Sequence, residues 1–181
     1  MKKRGFVILA ILLLLEILWA GWYLLRPRAM PRVSAPPEKE QAETVFLSLS
    51  PPESEFFAGQ EAEISIALSA GPKKVIGSDA VLAFDESKLE VTDIIPGDIF
   101  SIYPLKEVRD GKIFISGVLE PGETFSGYGI LAKLKLRGLA TGAARLNFDF
   151  IPEHTDDSNV AQEGGKKDLL EKVVNGLYTF K

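Results

Sequence analysis

Apolar and polar residues alternate with a period of two through most of the chain after residue 44. In Glu61 to Leu68, every second residue is apolar, and the residues between them are glutamate, serine or alanine. Such alternation predicts β-strands with one buried face. The predicted strands are Val45 to Leu49, Glu61 to Leu68, Ala80 to Phe84, Leu89 to Ile95, Lys112 to Gly117, Ile130 to Leu136, Ala144 to Phe150 and Val173 to Phe180.

Short polar or glycine-containing turns separate these strands. The polar residues Asp85 to Lys88 and the turn Pro96 to Asp98 flank the strand Leu89 to Ile95. Gly71-Pro72 is predicted to turn the chain into the pair formed by this strand and Ala80 to Phe84. Asp110-Gly111 is typical of a hairpin. Only Lys166 to Lys172 favours a short helical turn. The pattern therefore predicts an all-β fold, an antiparallel jelly-roll-like β-sandwich of about eight or nine strands.

The N-terminal segment has a different pattern. Phe6 to Leu25 is a nearly unbroken run of 20 apolar residues, which as a helix would span about 30 Å, the thickness of a bilayer core. Three basic residues precede it, and aromatic residues cluster at its far end. We expect residues 1–26 to form a cytoplasmic basic stub and a single transmembrane signal anchor, with the rest of the chain outside the cell.

A cleavable signal peptide is the alternative interpretation of this segment. Its apolar region is usually shorter, about 7 to 15 residues, and a small-x-small cleavage site follows closely. The nearest such site, Val33 to Ala35, lies well beyond the apolar run, which favours an uncleaved anchor. Glu16 lies inside the run, where a carboxyl group is costly. It either contacts a partner helix or is tolerated by its apolar neighbours.

Residues 27–43 are predicted to be a linker. Four prolines and a charged run cannot form a core, so this segment should be extended and hold the folded domain away from the membrane. The predicted domain is residues 44–181.

Composition excludes several functions. The chain of 181 residues has a net charge of −4, which argues against a nucleic-acid partner. It has no cysteine, so disulfides and thiolate chemistry are absent. The single histidine, His154, lies in a polar loop, where a solvated side chain is the simpler interpretation. A compact sandwich also offers no obvious cleft for two catalytic carboxylates. We therefore expect a binding protein rather than an enzyme.

Four segments of the domain resemble, in the same order, motifs of the cohesin domain. They are Gly77 to Asp79 with Phe84 to Val91, Ile95 to Ile99, Asp110 to Ile113, and Gly129 to Leu134. The first is similar to the family's "Y-D-P-x-x-L-E-V" turn, with Glu86 in place of the proline. The resemblance covers residues 55 to 180 in a single copy, and the loop from Pro152 to Lys167 does not align.

Cohesins belong to a carbohydrate-binding-module-like superfamily of β-sandwiches and bind dockerins in cellulosomes. The resemblance therefore implies a module that binds a dockerin-like protein or attaches to the cell surface, and it links this module to polysaccharide binding or breakdown. It implies a partner face that includes Asp79 and an acidic residue near Glu120. Alternation along the strand adds Val81 and Ala83 to this face. An ordinary outer face, or one covered by a loop such as Phe100 to Leu105, remains open.

A second candidate site is the acidic loop that contains Asp156, Asp157 and Asn159. Carboxylate and amide oxygens suit Ca²⁺. Because residues of this type also form turns by bonding to their own backbone, that alternative remains open.

Two further function classes remain open beside protein binding. Direct binding of a surface polysaccharide would need exposed aromatic residues, for which Tyr103, Tyr128 and the Phe56-Phe57 pair are the candidates. The third class is a structural or assembly subunit of the cell surface.

Overall fold

The computed structural model describes residues 44–165 and 167–181, and every regular element in this part is a β-strand. The strands are β1 (Phe46–Ser50), β2 (Glu53–Phe56), β3 (Glu61–Phe84), β4 (Leu89–Pro96), β5 (Ile102–Arg109), β6 (Lys112–Val118), β7 (Phe125–Gly138), β8 (Gly142–Phe148), β9 (Asn159–Gln162), β10 (Lys172–Val174) and β11 (Gly176–Phe180). Within these residues no helix is long and apolar enough to cross a membrane. The predicted anchor, Phe6 to Leu25, and the linker lie outside them.

The long strand β3 belongs to two layers of the fold. Its first half pairs with β1 and β7, so the first layer is β10-β1-β3-β7-β4. Its second half pairs with β6 on one side and with β8 and β9 on the other, and the second layer runs β5-β6-β3-β8-β11-β2. The apolar faces of both layers form one core, which includes the fully buried Ile64, Leu82 and Tyr178.

The predicted turn at Gly71-Pro72 is wrong. The chain continues as one strand there, with a positive φ of 53° at Gly71 and register shifts against β7 on both sides of that glycine. A local irregularity of this kind bends a strand without ending its pairing. The sequence therefore marks the point where β3 passes between layers, not the end of a strand.

The C-terminal part also differs from the prediction. The predicted strand Val173 to Phe180 is divided at Asn175, whose side-chain oxygen accepts a hydrogen bond from the Phe148 N–H at 2.8 Å. The resulting β10 and β11 are parallel to β1 and β2, so the sheet is not wholly antiparallel. The helical turn predicted at Lys166 to Lys172 is wrong for residues 167–172, which the structure describes. Asp168 forms a β-bridge with Ala161, and its Oδ1 accepts hydrogen bonds from the Val160 and Leu170 N–H groups.

Three strands were not predicted, namely β2, β5 and β9. They are short or charged, and β2 and β5 lie at sheet edges, where one side of the strand has no partner and apolar alternation is weak. The hairpin predicted at Asp110-Gly111 is confirmed, and it joins β5 to β6.

The predicted turn Pro96 to Asp98 fixes the connection between the layers. The Gly97 N–H donates to the Leu131 carbonyl at 3.0 Å and to the Tyr103 hydroxyl at 3.1 Å. That hydroxyl in turn donates to the Leu131 carbonyl at 2.6 Å, and burial raises the pKa of Tyr103. A Cβ at Gly97 would lie 1.8 Å from the Ile130 carbonyl oxygen. Only glycine allows the two backbones to approach so closely.

We therefore expect Gly97→Ala to lower the free energy of unfolding by about 3 kcal/mol or more, because it forces a backbone shift and breaks hydrogen bonds. Chemical denaturation measures the change. The control is Gly122→Ala, where an added Cβ would have no atom within 4 Å apart from its chain neighbours and only the positive φ of 92° opposes the substitution. It should cost about 1 kcal/mol. Equal losses in the two variants would contradict the close-approach argument.

A serine side chain completes the sheet between β8 and β9. The two strands pair with different parts of β3, and Val81 lies between those parts. The Ser158 hydroxyl accepts from the Val81 N–H at 3.0 Å and donates to the Val81 carbonyl at 3.1 Å. Ser158 is fully buried, and the Asp149 N–H donates to the same carbonyl at 2.8 Å. The connection from Asp149 to Ser158 is therefore held against β3.

Replacing Ser158 by alanine should lower the free energy of unfolding by about 1–3 kcal/mol, since the Val81 N–H is left buried without an acceptor. Hydrogen exchange should also show faster exchange at the Val81 amide. Ser126→Ala, at an exposed position of β7, serves as the matched control and should change stability by less than about 0.5 kcal/mol. An unchanged Val81 exchange rate in Ser158→Ala would rule out this bond as the support of the connection.

Candidate functional site

The outer surfaces of the two layers differ in their charge balance. On the first layer, acidic and basic side chains of neighbouring strands pair with each other. Lys133 lies 2.9 Å from Glu63, and Arg137 lies 3.3 Å from Glu90 and 3.7 Å from Glu61. These charges largely cancel. This surface is therefore well suited to contact with water.

The second layer presents a surface that we call the β3–β6 face, on which the ion pairs Arg109–Glu107 and Lys112–Asp149 lie near the β5–β6 hairpin. It consists of the outward residues of β3, β6 and β5, namely Asp79, Val81, Ala83, Phe114, Ser116 and Leu105. Ala80 and Leu82 are fully buried in the core, as the alternation along β3 predicts, whereas Asp79 and Ala83 are half-buried and Val81 is buried without belonging to the core cluster. Val81 is 9% exposed and Leu105 is 39% exposed. The face thus combines apolar side chains with one carboxylate.

The strand β5 extends this face instead of covering it. Leu105 is in register with Ser116, which is in register with Asp79. Arg109, near the end of β5, lies over the Phe114 ring, 4.7 Å from its centroid, and pairs with Glu107 at 3.4 Å. The residues from Phe100 to Leu105 therefore do not form a loop that covers Asp79.

Asp79 is oriented by a residue on β9. The Asn159 side-chain nitrogen donates to the Asp79 Oδ2 at 3.0 Å, and also to the carbonyls of Thr155 at 3.3 Å and Asp157 at 3.1 Å. Ser78 adds a bond to the Asn159 carbonyl at 3.0 Å. The acidic loop is thereby tied to the strand that carries Asp79, and it forms one wall of a depression of about 310 Å³ on the face.

Glu120 lies at one end of the same face. It is exposed in the turn after β6, whose Glu123 N–H donates to the Glu120 carbonyl at 3.0 Å. A second depression of about 290 Å³ is lined by Glu120 together with Gly77 and Val118. Gly77 and Val118 are paired two residues before Asp79 and two after Ser116. The structure therefore places Asp79, Val81 and Ala83 along one surface of β3, and it places Glu120 in the turn after β6, beside the Gly77–Val118 pair.

The predicted calcium ligands do not direct their oxygen atoms to one point. Asp157 Oδ2 accepts the Ile151 N–H, and Asn159 turns its nitrogen toward the neighbouring oxygens. The Asp156 side chain is 90% exposed and lies 3.7 Å from His154. Within residues 44–165 and 167–181, no three acidic or histidine side chains form a metal-binding group. Calcium binding stays a prediction that this arrangement does not favour.

Of the four aromatic candidates for glycan binding, two are engaged within the fold and two are exposed. Phe56 is half-buried, and its ring centroid lies 5.9 Å from that of Tyr178. Tyr103 uses its hydroxyl within the fold. Phe57 and Tyr128 are both more than 60% exposed. They extend from different parts of the chain, Phe57 just after β2 and Tyr128 within β7.

Sequence reasoning did not identify the supporting residues of the face. Ser158 and Asn159 act on residues about 80 positions earlier in the chain, as their bonds to Val81 and Asp79 show. Phe114 and Leu105 could have been found from alternation in β6 together with the Asp110-Gly111 hairpin, which sets their register.

No model of a known protein family matches the chain. No curated protein matches it significantly. Solved structures do match it. A cohesin of Clostridium acetobutylicum, CaCohA2, solved in complex with a variant of the dockerin CaDoc0917, is 23% identical, with a TM-score of 0.64 over 76% of this chain and 100% of that chain.

Two further solved structures are similar. A Clostridium thermocellum structure, the Coh-OlpA–Doc918 cohesin–dockerin complex, is 18% identical, with a TM-score of 0.61 over 76% of this chain and 99% of the other. A non-cellulosomal cohesin from the archaeon Archaeoglobus fulgidus is 16% identical, with a TM-score of 0.56 over 76% of this chain and 90% of the other. The domain therefore has the fold of cohesin domains.

Proposed function

We propose that this protein is a membrane-anchored, extracellular binding module whose β3–β6 face binds a dockerin-like protein. The observation that carries the proposal is the contrast between the two outer surfaces. The first layer balances its charges in ion pairs. On the β3–β6 face the ion pairs of the described residues, Arg109–Glu107 and Lys112–Asp149, lie near the β5–β6 hairpin, whereas Asp79 and Glu120 lie beside apolar side chains and form no ion pair among those residues. Apolar centres with a few oriented polar groups are typical of protein interfaces.

The fold supports the same partner class. Several of the similar solved structures are cohesins in complexes with dockerins. Such modules bind without catalysis, which agrees with the absence of a catalytic group in our interpretation of the sequence. In this proposal Phe6 to Leu25 anchors the protein in the cell membrane, the N-terminus is cytoplasmic, and residues 27–43 act as the linker. If the bound dockerin belongs to a polysaccharide-degrading enzyme, this module would attach that enzyme to the cell surface.

The test is binding of the full chain, purified in mild detergent, to a panel of dockerins. The panel contains CaDoc0917, Doc918 and Doc435, each named with a similar cohesin. We expect at least one to bind with saturable affinity by calorimetry. The double variant Asp79→Arg with Glu120→Arg should weaken that binding by about tenfold or more, because it reverses two charges on the face.

Glu171→Arg is the matched control. This acidic residue is exposed just before β10 on the first layer, so the charge reversal should leave affinity unchanged. Equal loss in the control and the double variant would contradict a specific role for the β3–β6 face. Retention of a surface polysaccharide on a glycan array, with no dockerin bound, would instead support direct carbohydrate binding. Absence of both would favour a structural subunit.

A further inference from the structure

The depression beside Asp79 has two kinds of wall. Val81, Leu105 and Phe114 supply apolar surface on one side. Asp79, Asp156 and Asp157 supply acidic residues on the other, within a volume of about 310 Å³. An apolar wall that ends in carboxylates matches a long side chain with an aliphatic stem and a positively charged end.

Asp157 differs from an ordinary surface carboxylate. It is 7% exposed, and the Ile151 N–H donates to its Oδ2. Its Oδ1 is buried and has no hydrogen-bond partner among the described residues. A buried carboxylate is normally paired or fully hydrogen-bonded, because water no longer compensates its charge. The fold therefore holds an acidic group that nothing else in the described part of the domain neutralises.

The basic residues of the neighbouring strand positions are engaged elsewhere. Lys112 lies 2.8 Å from Asp149, and Arg109 pairs with Glu107 while it covers Phe114. Among the ion pairs of the described residues, none joins a lysine or arginine to Asp79, Asp156 or Asp157. The negative charge of the depression is thus available to a cation from outside the domain.

We propose that this depression receives a basic side chain of the protein partner, an inference that rests on the proposed function. The aliphatic part of the side chain packs on Val81 and Leu105, and its charged end meets Asp79 and Asp156. Asp157 acts through its buried charge from beneath. Asn159 fixes Asp79, so that one carboxylate oxygen is held within the domain and the other is left for the partner.

A bound metal ion is the competing occupant. The Asn159 nitrogen, which carries hydrogen atoms, occupies the position beside Asp79 and Asp157 where a metal ion would need an oxygen ligand. An arginine or lysine side chain does not require a closed set of oxygen ligands, and a guanidinium group bonds to several carboxylates at once.

The experiment uses a probe that is independent of any dockerin. Full-length protein labelled with ¹⁵N is titrated with Nα-acetyl-L-arginine amide and, separately, with the corresponding citrulline amide, which has the same shape but no charge. We expect saturable shifts of the Val81 and Ser116 amide signals with the arginine compound and none with the citrulline compound. Asp157→Asn should weaken the binding by about threefold or more.

Two controls keep the result interpretable. Asp156→Asn changes an exposed side chain that cannot disturb the core, and it should weaken arginine binding even if Asp157→Asn fails to fold. Glu171→Gln, on the first layer, should have no effect. Equal shifts with citrulline, unchanged affinity in both aspartate variants, or displacement of arginine by stoichiometric Ca²⁺ would overturn the inference. Dockerin binding without arginine binding would overturn it while leaving the proposed function intact.

Discussion

The structure depends on one continuous strand. β3 runs from Glu61 to Phe84 and supplies a central strand to each layer, so the two layers cannot separate or shift without breaking its pairing. Its irregular section around Gly71 changes the direction of the strand while hydrogen bonding continues on both sides. The first half of β3 pairs with β1 and β7, and the second half pairs with β6. This one strand therefore fixes the register of the central strands in both layers.

The same strand places the candidate site. Asp79 and Val81 follow directly from the second half of β3, where every second residue points away from the core. The neighbouring edge of the strand is covered by two short strands with a gap between them, and Ser158 fills the gap. The loop that leads to Ser158 also places the Asp157 carboxylate in a buried position. A support for the sheet and a wall of the depression are therefore the same segment.

Much of the fold could be predicted from local pattern, and the parts that failed have a common cause. Alternation is strong in the strands that are buried on one face, and it located the second half of β3 and the outward position of Asp79. β5 could not be found in this way, because an edge strand with Pro104 and several charges has no regular apolar period. Gly71-Pro72 has the local chemistry of a turn, but pairing on both sides of it keeps the strand continuous.

The candidate site was predictable to a similar extent. The resemblance to a family implied Asp79 and Glu120, and alternation placed Asp79 on the outer face together with Val81 and Ala83. The roles of Asp157 and Asn159 could not be predicted from the sequence. Two adjacent aspartates look alike in a sequence, yet here Asp156 is exposed and Asp157 is buried. Asp157 is held in the fold by the Ile151 N–H, which donates to its Oδ2, and by Asn159, which donates to its carbonyl and to Asp79; no local pattern encodes these hydrogen bonds.

The charge distribution of the domain gives the β3–β6 face a directional role. The full chain has a net charge of −4, but paired charges on the first layer produce little field at a distance. On the other face, Asp79 has no cationic partner among the described residues, and a hollow with low-dielectric walls concentrates its potential. In the proposed complex, a cationic partner would therefore be attracted to this side of the domain before contact is made. Apolar residues such as Leu105 and Phe114 would contribute after water leaves, so that charge would govern encounter and apolar contact would govern residence.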